Sequence, residues 1–547
     1  MAEPFCCLVL PDCLICFAVE LAIDRGGMST MVETRSSPVA NFYKERSILI
    51  TGATGFMGKV LVEKLLRSCS ETKTIYVLLR PKEGQEPKQR LDELLKTKIF
   101  DRAKKEQPGC ISKLVPIHGD LTLPGLGISA SDQSLLTSNV SIVFHSAATV
   151  KFDEPLKRSV DMNVLGTRRL VELCHKMTHL EALIHVSTAY CNCDRKQVDE
   201  VVYDPPVPPQ KIIDTIQWMD EDLVGILTPH LIKGRPNTYT YTKALAETLL
   251  VEESGALPVA IVRPSIVTAA WKEPFPGWVD NFNGPTGLIV ATSKGILRSM
   301  HCKSSNIADL IPVDVVINLV ITVAWYTASH RPNSILVYNC CSGSSNKLTW
   351  GGVERLAIPL ILRHPSHGVF FYPNGSFTNS RLWNYLSVFL YHHVPSYCID
   401  LVAVLTGNKP QLVPLYRKLH RAIQCLEYFT THEWSFNSNN LLMLLEKISP
   451  EDKQEFNFDI KALHWPTYLE DYILGIRQFL LKEELSSLPS ARKSLKRIYM
   501  YTKMAHFLLI FLLWKVVFMR YNGARKLWFI FISMVVKLYN MLPRIAS

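Results

Sequence analysis

Seven short runs of aliphatic and β-branched residues fall at 48–50, 74–79, 114–118, 141–145, 183–186, 259–262 and 335–339. Most are apolar throughout instead of alternating with polar positions, the pattern of strands buried on both faces. Helical periodicity fills gaps between them, most clearly from residue 58 onward and over 160–173. This alternation predicts an α/β fold, a parallel sheet with helices on both faces. Residues 191–237 interrupt it with an extended loop at Asp204-Pro-Pro-Val-Pro-Pro209 and one amphipathic helix over 212–227. A further helix is expected over 308–324, and from about Asn346 the pattern turns mainly helical, with apolar faces over 381–391, 411–429, 439–447 and 465–481. Two apolar runs close the sequence, 504–519 and 527–542, parted by Arg520-Tyr-Asn-Gly-Ala-Arg-Lys526. The expected organisation is an N-terminal extension (1–41), a sheet domain (42–345), a helical domain (346–490) and a basic, apolar tail (491–547).

Composition narrows the class. A chain of 547 residues exceeds one ordinary domain, and 48% hydrophobic with 20% charged residues is globular. The net charge is +11, yet no basic stripe, zinc-finger spacing or RNP-like strand is present, so nucleic acid is not an expected partner. Part of the excess flanks the terminal apolar runs, where it suits anionic lipid headgroups. The fourteen scattered cysteines are expected as reduced thiols in a cytosol-facing protein. Residues 5–23 are apolar, but Glu3, Asp12 and Glu20 stand where a signal peptide would be basic. Cys13-x-x-Cys16 lacks a second pair for zinc, and no metal site is expected.

The chemistry gathers at strand ends. Thr51-Gly52-Ala53-Thr54-Gly55-Phe56-Met57-Gly58 follows the first strand and opens a helix. Gly52 permits the turn, Gly55 lets backbone N–H groups approach a pyrophosphate, and Gly58 lets helix pack on strand. The second strand ends on Arg80, where a carboxylate would hold the 2′-hydroxyl of NAD; an Arg there, with Lys82 nearby, favours the 2′-phosphate of NADP. Asp120, followed by Leu121, closes the third strand and can accept from an adenine amino group. Ser146-Ala147-Ala148 after the fourth lets a ribose lie against backbone, and Asn163 is a polar anchor candidate. Pro264, at the end of the sixth, completes the cofactor set.

Tyr239 and Lys243 are four apart and share a helix face, whereas Tyr241 does not pair with Lys243. An ammonium one turn away is expected to lower the Tyr239 phenol toward useful acid–base range, helped by the positive ring of an oxidised nicotinamide. Thr188, with Ser187 in reserve, ends the fifth strand and can hold a carbonyl oxygen. Together these residues fit carbonyl reduction with NADPH. Cys191 and Cys193 are read as packing residues.

The glycine run and Tyr239-x-x-x-Lys243 resemble the extended short-chain dehydrogenase/reductases, whose fold is a Rossmann-type doubly wound sheet. More specifically, HSAATVKFDEPL (145–156), HVSTAYCNC (185–193), YTYTKALAE (239–247), VRPSIV (262–267) and EPFPGWVDNFNGPTG (273–287) resemble alcohol-forming fatty acyl-CoA reductases of the animal peroxisomal type. The similarity runs from about Phe42 to the end of the sequence, with a departure at Asn339-Cys-Cys-Ser-Gly343, where the family usually has a YNVTSG-like run. The resemblance implies a catalytic set of Tyr239, Lys243 and Thr188, and reduction of a long-chain acyl-CoA to a primary alcohol with two NADPH. It also implies supply of ether lipid or wax synthesis and a place on the peroxisomal membrane with the catalytic domain in the cytosol. The stretch 271–287 then reads as a loop lining an acyl entrance or as a packed inter-domain loop. The tail reads as a hairpin anchor, one span plus an interfacial helix, two interfacial helices, or a soluble helix pair. A membrane-bound hydroxysteroid-type dehydrogenase and a non-catalytic NADPH-binding scaffold are the rival functions.

Overall fold

The computed structural model describes residues 37–541 except 82, 83 and 521. The apolar 5–23 segment, Cys13, Cys16 and Lys82 lie outside the described residues. All seven expected strands form: β1 (Ser47–Thr51), β2 (Thr74–Leu79), β3 (Leu114–His118), β4 (Val140–His145), β5 (Ala182–Val186), β6 (Val259–Pro264) and β7 (Leu336–Cys340). They build one parallel sheet in the order β7-β6-β5-β4-β1-β2-β3. Strand order reverses between β1 and β4, the switch point beyond whose strand ends folds of this kind hold their ligand in a crevice. The pleat sorts side chains to two cores: Ile48, Ile50, Ile75 and Val77 to one, Leu49, Tyr76, Leu78 and Val143 to the other.

The first of these cores continues through Leu444, Phe456, Leu469 and Ile473, so C-terminal helices pack into the same interior as the sheet. It also takes Val39, whose N–H donates to Asp452 (3.2 Å), so packing begins with the turn Pro38–Phe42, slightly ahead of the expected start at 42. Ten cysteines are free, eight of them buried, among the described residues.

Helices that carry the argument are α1 (Phe56–Ser68), α2 (Thr238–Glu253), α3 (Val313–His330), α4 (Arg381–Val388), α5 (Val394–Leu405), α6 (Leu412–Thr431), α7 (Leu488–Arg520) and α8 (Asn522–Met541). Three differ from expectation. The helix read over 212–227 is two, Pro209–Trp218 and Glu221–Leu231, because Asp220 is extended (φ −64°, ψ 152°) and restarts the chain. The helix read from 308 starts at Val313; Leu310–Pro312 instead pairs with Ile266–Thr268, and Pro312, which has no N–H to give a helix, marks the boundary. The run read to 391 continues through a π-turn at Phe389–His393 into α5. In the tail, α7 and α8 lie side by side, Trp514 against Trp528 at 5.5 Å, with Phe507 and Ile510 exposed.

The loop at 271–287 is packed. Trp271, Lys272 and Glu273 donate backbone N–H groups to Asp314, and Trp278 is buried.

Candidate active site

The sheet edge supplies a cradle. The chain leaves β1 through Gly52 at φ +78°, where an added Cβ would lie 2.7 Å from Ala147 N. A Cβ on Gly58 would lie 2.1 Å from the Gly52 carbonyl oxygen, so both positions demand glycine. Gly55 caps α1 in extended conformation, and the N–H groups of Phe56, Met57 and Gly58 open the helix with no intrahelical acceptor. Such an N-terminus favours a phosphate. Thr54 is half-buried beside it, and the Phe56 ring stacks on Trp278 at 5.3 Å. Thr51 Oγ1 meets His145 Nδ1 (2.8 Å) and accepts from Ala147 N (3.3 Å), which ties β1 to the half-buried Ser146, Ala147 and Ala148. Burial holds His145 down to about 3, so it is a neutral hydrogen-bonding group.

Further along the edge, Arg80 is exposed at the tip of β2, and its guanidinium has no partner among the described residues. Arg90 reaches the Arg80 carbonyl and adds a second positive charge that sequence reading missed. Asp120 is half-buried, with Oδ1 accepting from the Thr122 N–H and hydroxyl, both at 2.9 Å. Two further candidates are engaged within the fold. Leu121 packs into the second core and its carbonyl accepts from Arg169 (2.6 Å). Asn163 is buried with its amide committed: Oδ1 accepts from Thr149 N (2.9 Å), and Nδ2 donates to Thr149 O (3.2 Å) and Thr242 Oγ1 (3.0 Å). It pins the loop after β4 to α2.

On the other side of the crevice stands α2, started by Asn237, whose side chain accepts from Thr240 N (2.9 Å). Tyr239 and Lys243 share its face, while Tyr241 is buried in a separate cluster with Leu156 and Ile212. Lys243 Nζ donates to the Val186 carbonyl at the end of β5 (2.7 Å). The next two residues are Ser187 and Thr188, both buried. The Thr188 hydroxyl donates to Pro264 O at 3.5 Å and lies close enough to the Tyr239 phenol to favour its ionised form. Ser187 Oγ is buried without a partner among the described residues, an orphan that a ligand in the crevice would satisfy.

The electrostatics correct one expectation. Burial pushes the Tyr239 phenol above its ordinary value; the nearby Thr188 hydroxyl opposes this, and Lys243 is not among the groups that move it. Lys243 is itself drawn down to about 8 by burial, partly offset by Glu247. Before ligand binds, Tyr239 is therefore a protonated acid, the form a carbonyl reduction needs.

Sequence reading missed the support behind this face. Glu247, one turn beyond Lys243, is buried against Arg263, with Nε at 2.8 Å and Nη2 at 2.5 Å. Arg263 also donates to the carbonyls of Asp199 (3.0 Å) and Val201 (2.8 Å). The i, i+4 spacing of Tyr239, Lys243 and Glu247 was the available signal. Cys191 donates to Glu247 (3.4 Å), and burial keeps its thiol protonated, as packing requires. Phe152 stacks on Tyr239 (6.0 Å) and meets Phe429 of α6 (5.4 Å), a residue with no sequence signal for the site.

Two family profiles match, both described as Male sterility protein: an NAD-binding one over residues 50–320 and a second, Sterile, over 391–483. Fatty acyl-CoA reductase 1 of Xenopus laevis is 48% identical over 91% of this chain and 97% of its own length. The human protein of that name is 46% identical over the same shares, and mouse fatty acyl-CoA reductase 2 is 46% identical over 92% and 97%. Among solved structures, two of the reductase domain of a nonribosomal peptide synthetase from Mycobacterium tuberculosis share the fold, with TM-scores of 0.54 and 0.53 at 18% and 17% identity. Each covers 80% of this chain, and 94% and 95% of the respective structure is matched. With a glycine cradle, a Tyr–Lys face and full-length relatives in agreement, the chain belongs to the fatty acyl-CoA reductases, enzymes of the extended short-chain reductase fold.

Proposed function

We propose that this chain reduces long-chain acyl-CoA to the primary alcohol, using NADPH twice and releasing coenzyme A after the first reduction. The observation that carries the reading is the α2 face that sets Tyr239 beside the Thr188 hydroxyl and a buried Lys243 fixed on Val186 O, at the same sheet end as the glycine cradle. When bound, the reduced nicotinamide supplies hydride to the carbonyl carbon of the thioester and then of the aldehyde.

The chain's own residues do the rest. The Thr188 and Tyr239 hydroxyls donate to the carbonyl oxygen and stabilise the negative charge that grows there. Tyr239 gives its proton to that oxygen, a role suited to a phenol that burial keeps protonated. Lys243, fixed on Val186 O, is placed to hydrogen-bond a nicotinamide ribose, and the orphan Ser187 hydroxyl offers one further donor. The N-terminus of α1 holds the pyrophosphate, with Thr51 fixing the floor at Ala147. Arg80, with Arg90 beside it and no acidic residue at the strand tip, supports NADPH over NADH. No acyl-enzyme is needed, because hydride is the nucleophile and the nearby thiol of Cys191 stays protonated.

Attachment to a membrane through α7 and α8 is part of the proposal, supported by their exposed apolar side chains and flanking basic residues. A peroxisomal site with the reductase in the cytosol follows from the family resemblance. The test is to incubate purified full chain with palmitoyl-CoA and either NADPH or NADH, then extract the lipids. Hexadecanol formed faster with NADPH supports the reading; sterol oxidation without any hexadecanol sinks it.

A further inference from the structure

The helix built from α4, the π-turn at Phe389–His393 and α5 inverts the usual placement of polar and apolar side chains. Its inward positions recur about every four residues and are polar. Asn384 Oδ1 accepts from Ser299 (2.9 Å), and His392 Nε2 accepts from Arg298 N (3.1 Å). Ser396 donates to His393 O (2.9 Å), and Asp400 takes the backbone N–H groups of Gln411, Leu412 and Val413 at the start of α6. His392, Ser396 and Asp400 are buried.

The outward positions are apolar. Between Leu382 and Leu405, fourteen large apolar side chains are at least 40% exposed, Trp383 at 64% and Leu405 at 77% among them. Asp400 is the only Asp, Glu, Lys or Arg from 382 to 408, and its carboxylate is spent inward. A water-facing helix does the reverse. The largest apolar patch on a typical soluble monomer is ~300–600 Å² and marks a partner or a membrane. Of the described helices, α3 and this one are long and apolar enough to cross a bilayer; α3 is 72% buried as a core helix, this one 17%.

We propose that the outward face of α4 and α5 rests in the membrane surface, a second lipid contact distinct from the α7–α8 tail. Three observations select lipid. Lys409, Arg417, Lys418 and Arg421 form an exposed basic rim, and no Asp or Glu occurs from 401 to 426, which suits anionic headgroups. The face also adjoins the root of the tail: Tyr372 packs on Tyr499 of α7 (5.0 Å), while its neighbour Phe371 shares the Arg298 guanidinium with Tyr391 (5.7 and 5.3 Å). Finally, Asp400, bonded to the start of α6, and His392, whose Nδ1 meets His420 Nε2 (3.0 Å), fasten this helix along α6, so it lies in the interface as monotopic helices do.

The consequence for function rests on the acyl-CoA reductase reading; the lipid contact itself does not. From the lipid-facing end, the twenty residues of α6 span ~30 Å, and Phe429 in its last turn touches the ring beside Tyr239. This places the bilayer one helix length from the phenol and makes this face the side from which a membrane-dissolved acyl chain enters.

Cys398 is exposed on α5 and gives the test its probe. Full chain with Cys6, Cys7, Cys13, Cys16 and Cys425 replaced by Ser is labelled there with a bimane and bound to phosphatidylcholine vesicles containing some phosphatidylglycerol. Brominated acyl chains are expected to quench the label several-fold relative to unbrominated lipid. An unquenched label on protein that floats with the vesicles overturns the proposal, since the tail then holds the chain while α5 stays in water. Cross-linking of Cys398 to a second copy in place of quenching also overturns it and gives the face to a dimer. For the delivery route, Leu390→Glu with Leu401→Glu is expected to lower turnover of vesicle-borne palmitoyl-CoA several-fold and leave a short, soluble acyl-CoA unaffected. Unchanged turnover of both removes the route. Quenching without any acyl-CoA reduction would instead keep the lipid contact and defeat the reductase reading.

Discussion

The crevice at the sheet edge and the α4–α5 helix both turn polar side chains inward, and they do so to different ends. At the crevice the buried polar groups are partly unsatisfied or held in tension: Ser187 Oγ has no partner among the described residues, and Lys243 keeps an ammonium in a site that draws it down to about 8. Along α4 and α5 the inward polar groups are matched by Ser299, Arg298 and the start of α6, and the outward apolar face is what lacks a partner. An unsatisfied polar pocket calls for a small polar ligand, and an uncovered apolar face calls for an extended apolar surface. Buried polar residues therefore have opposite functional meaning in the two regions, decided by which side is left incomplete.

Substitutions that separate the two regions sharpen this contrast. The largest stability effect is expected behind the crevice. Glu247→Gln leaves the buried Arg263 guanidinium without its counter-charge, which costs ~3–5 kcal/mol and is read as a large drop in Tm. Arg80→Ala removes a charge-assisted contact worth ~1.5–3 kcal/mol, so KM for NADPH should rise about tenfold or more while NADH kinetics barely move. The pH profile comes next. Lys243 is charged below about 8 and neutral above it, so kcat/KM should fall tenfold per pH unit on the alkaline side, measured from initial rates. The Lys243→Met variant should lack that limb. The smallest effect is expected on the apolar face: Leu401→Ser, at a 60% exposed position, should change stability in detergent by no more than ~0.5 kcal/mol. A core-like loss there would erase the distinction between the regions.

How much of this was legible depends on whether local pattern and environment agree. The seven strands were readable because strands buried on both faces are uniformly apolar, and Gly52, Gly58, Tyr239, Lys243 and Thr188 followed from spacing next to strand ends. The packing of Leu121 and the amide bonds of Asn163 were not legible, because position at a strand end or in a helix does not reveal what a side chain already bonds. The shift of Tyr239 differs for a similar reason: burial sets its direction and Lys243 does not contribute, and burial is a property of the whole fold. Phe429 reaches the site from α6, across nearly two hundred residues of sequence, with nothing local to announce it. The outward face of α5 was the hardest, since a helix with inverted polarity has the same apolar periodicity as a core helix.

The central claim is that one phenol, Tyr239, serves both reductions. Product analysis of Tyr239→Phe, given palmitoyl-CoA and separately hexadecanal with NADPH, tests it most directly. The account predicts that both turnovers fall together by about 10²–10⁴-fold with Tm unchanged. Hexadecanal reduced at the normal rate by that variant would contradict a single shared acid.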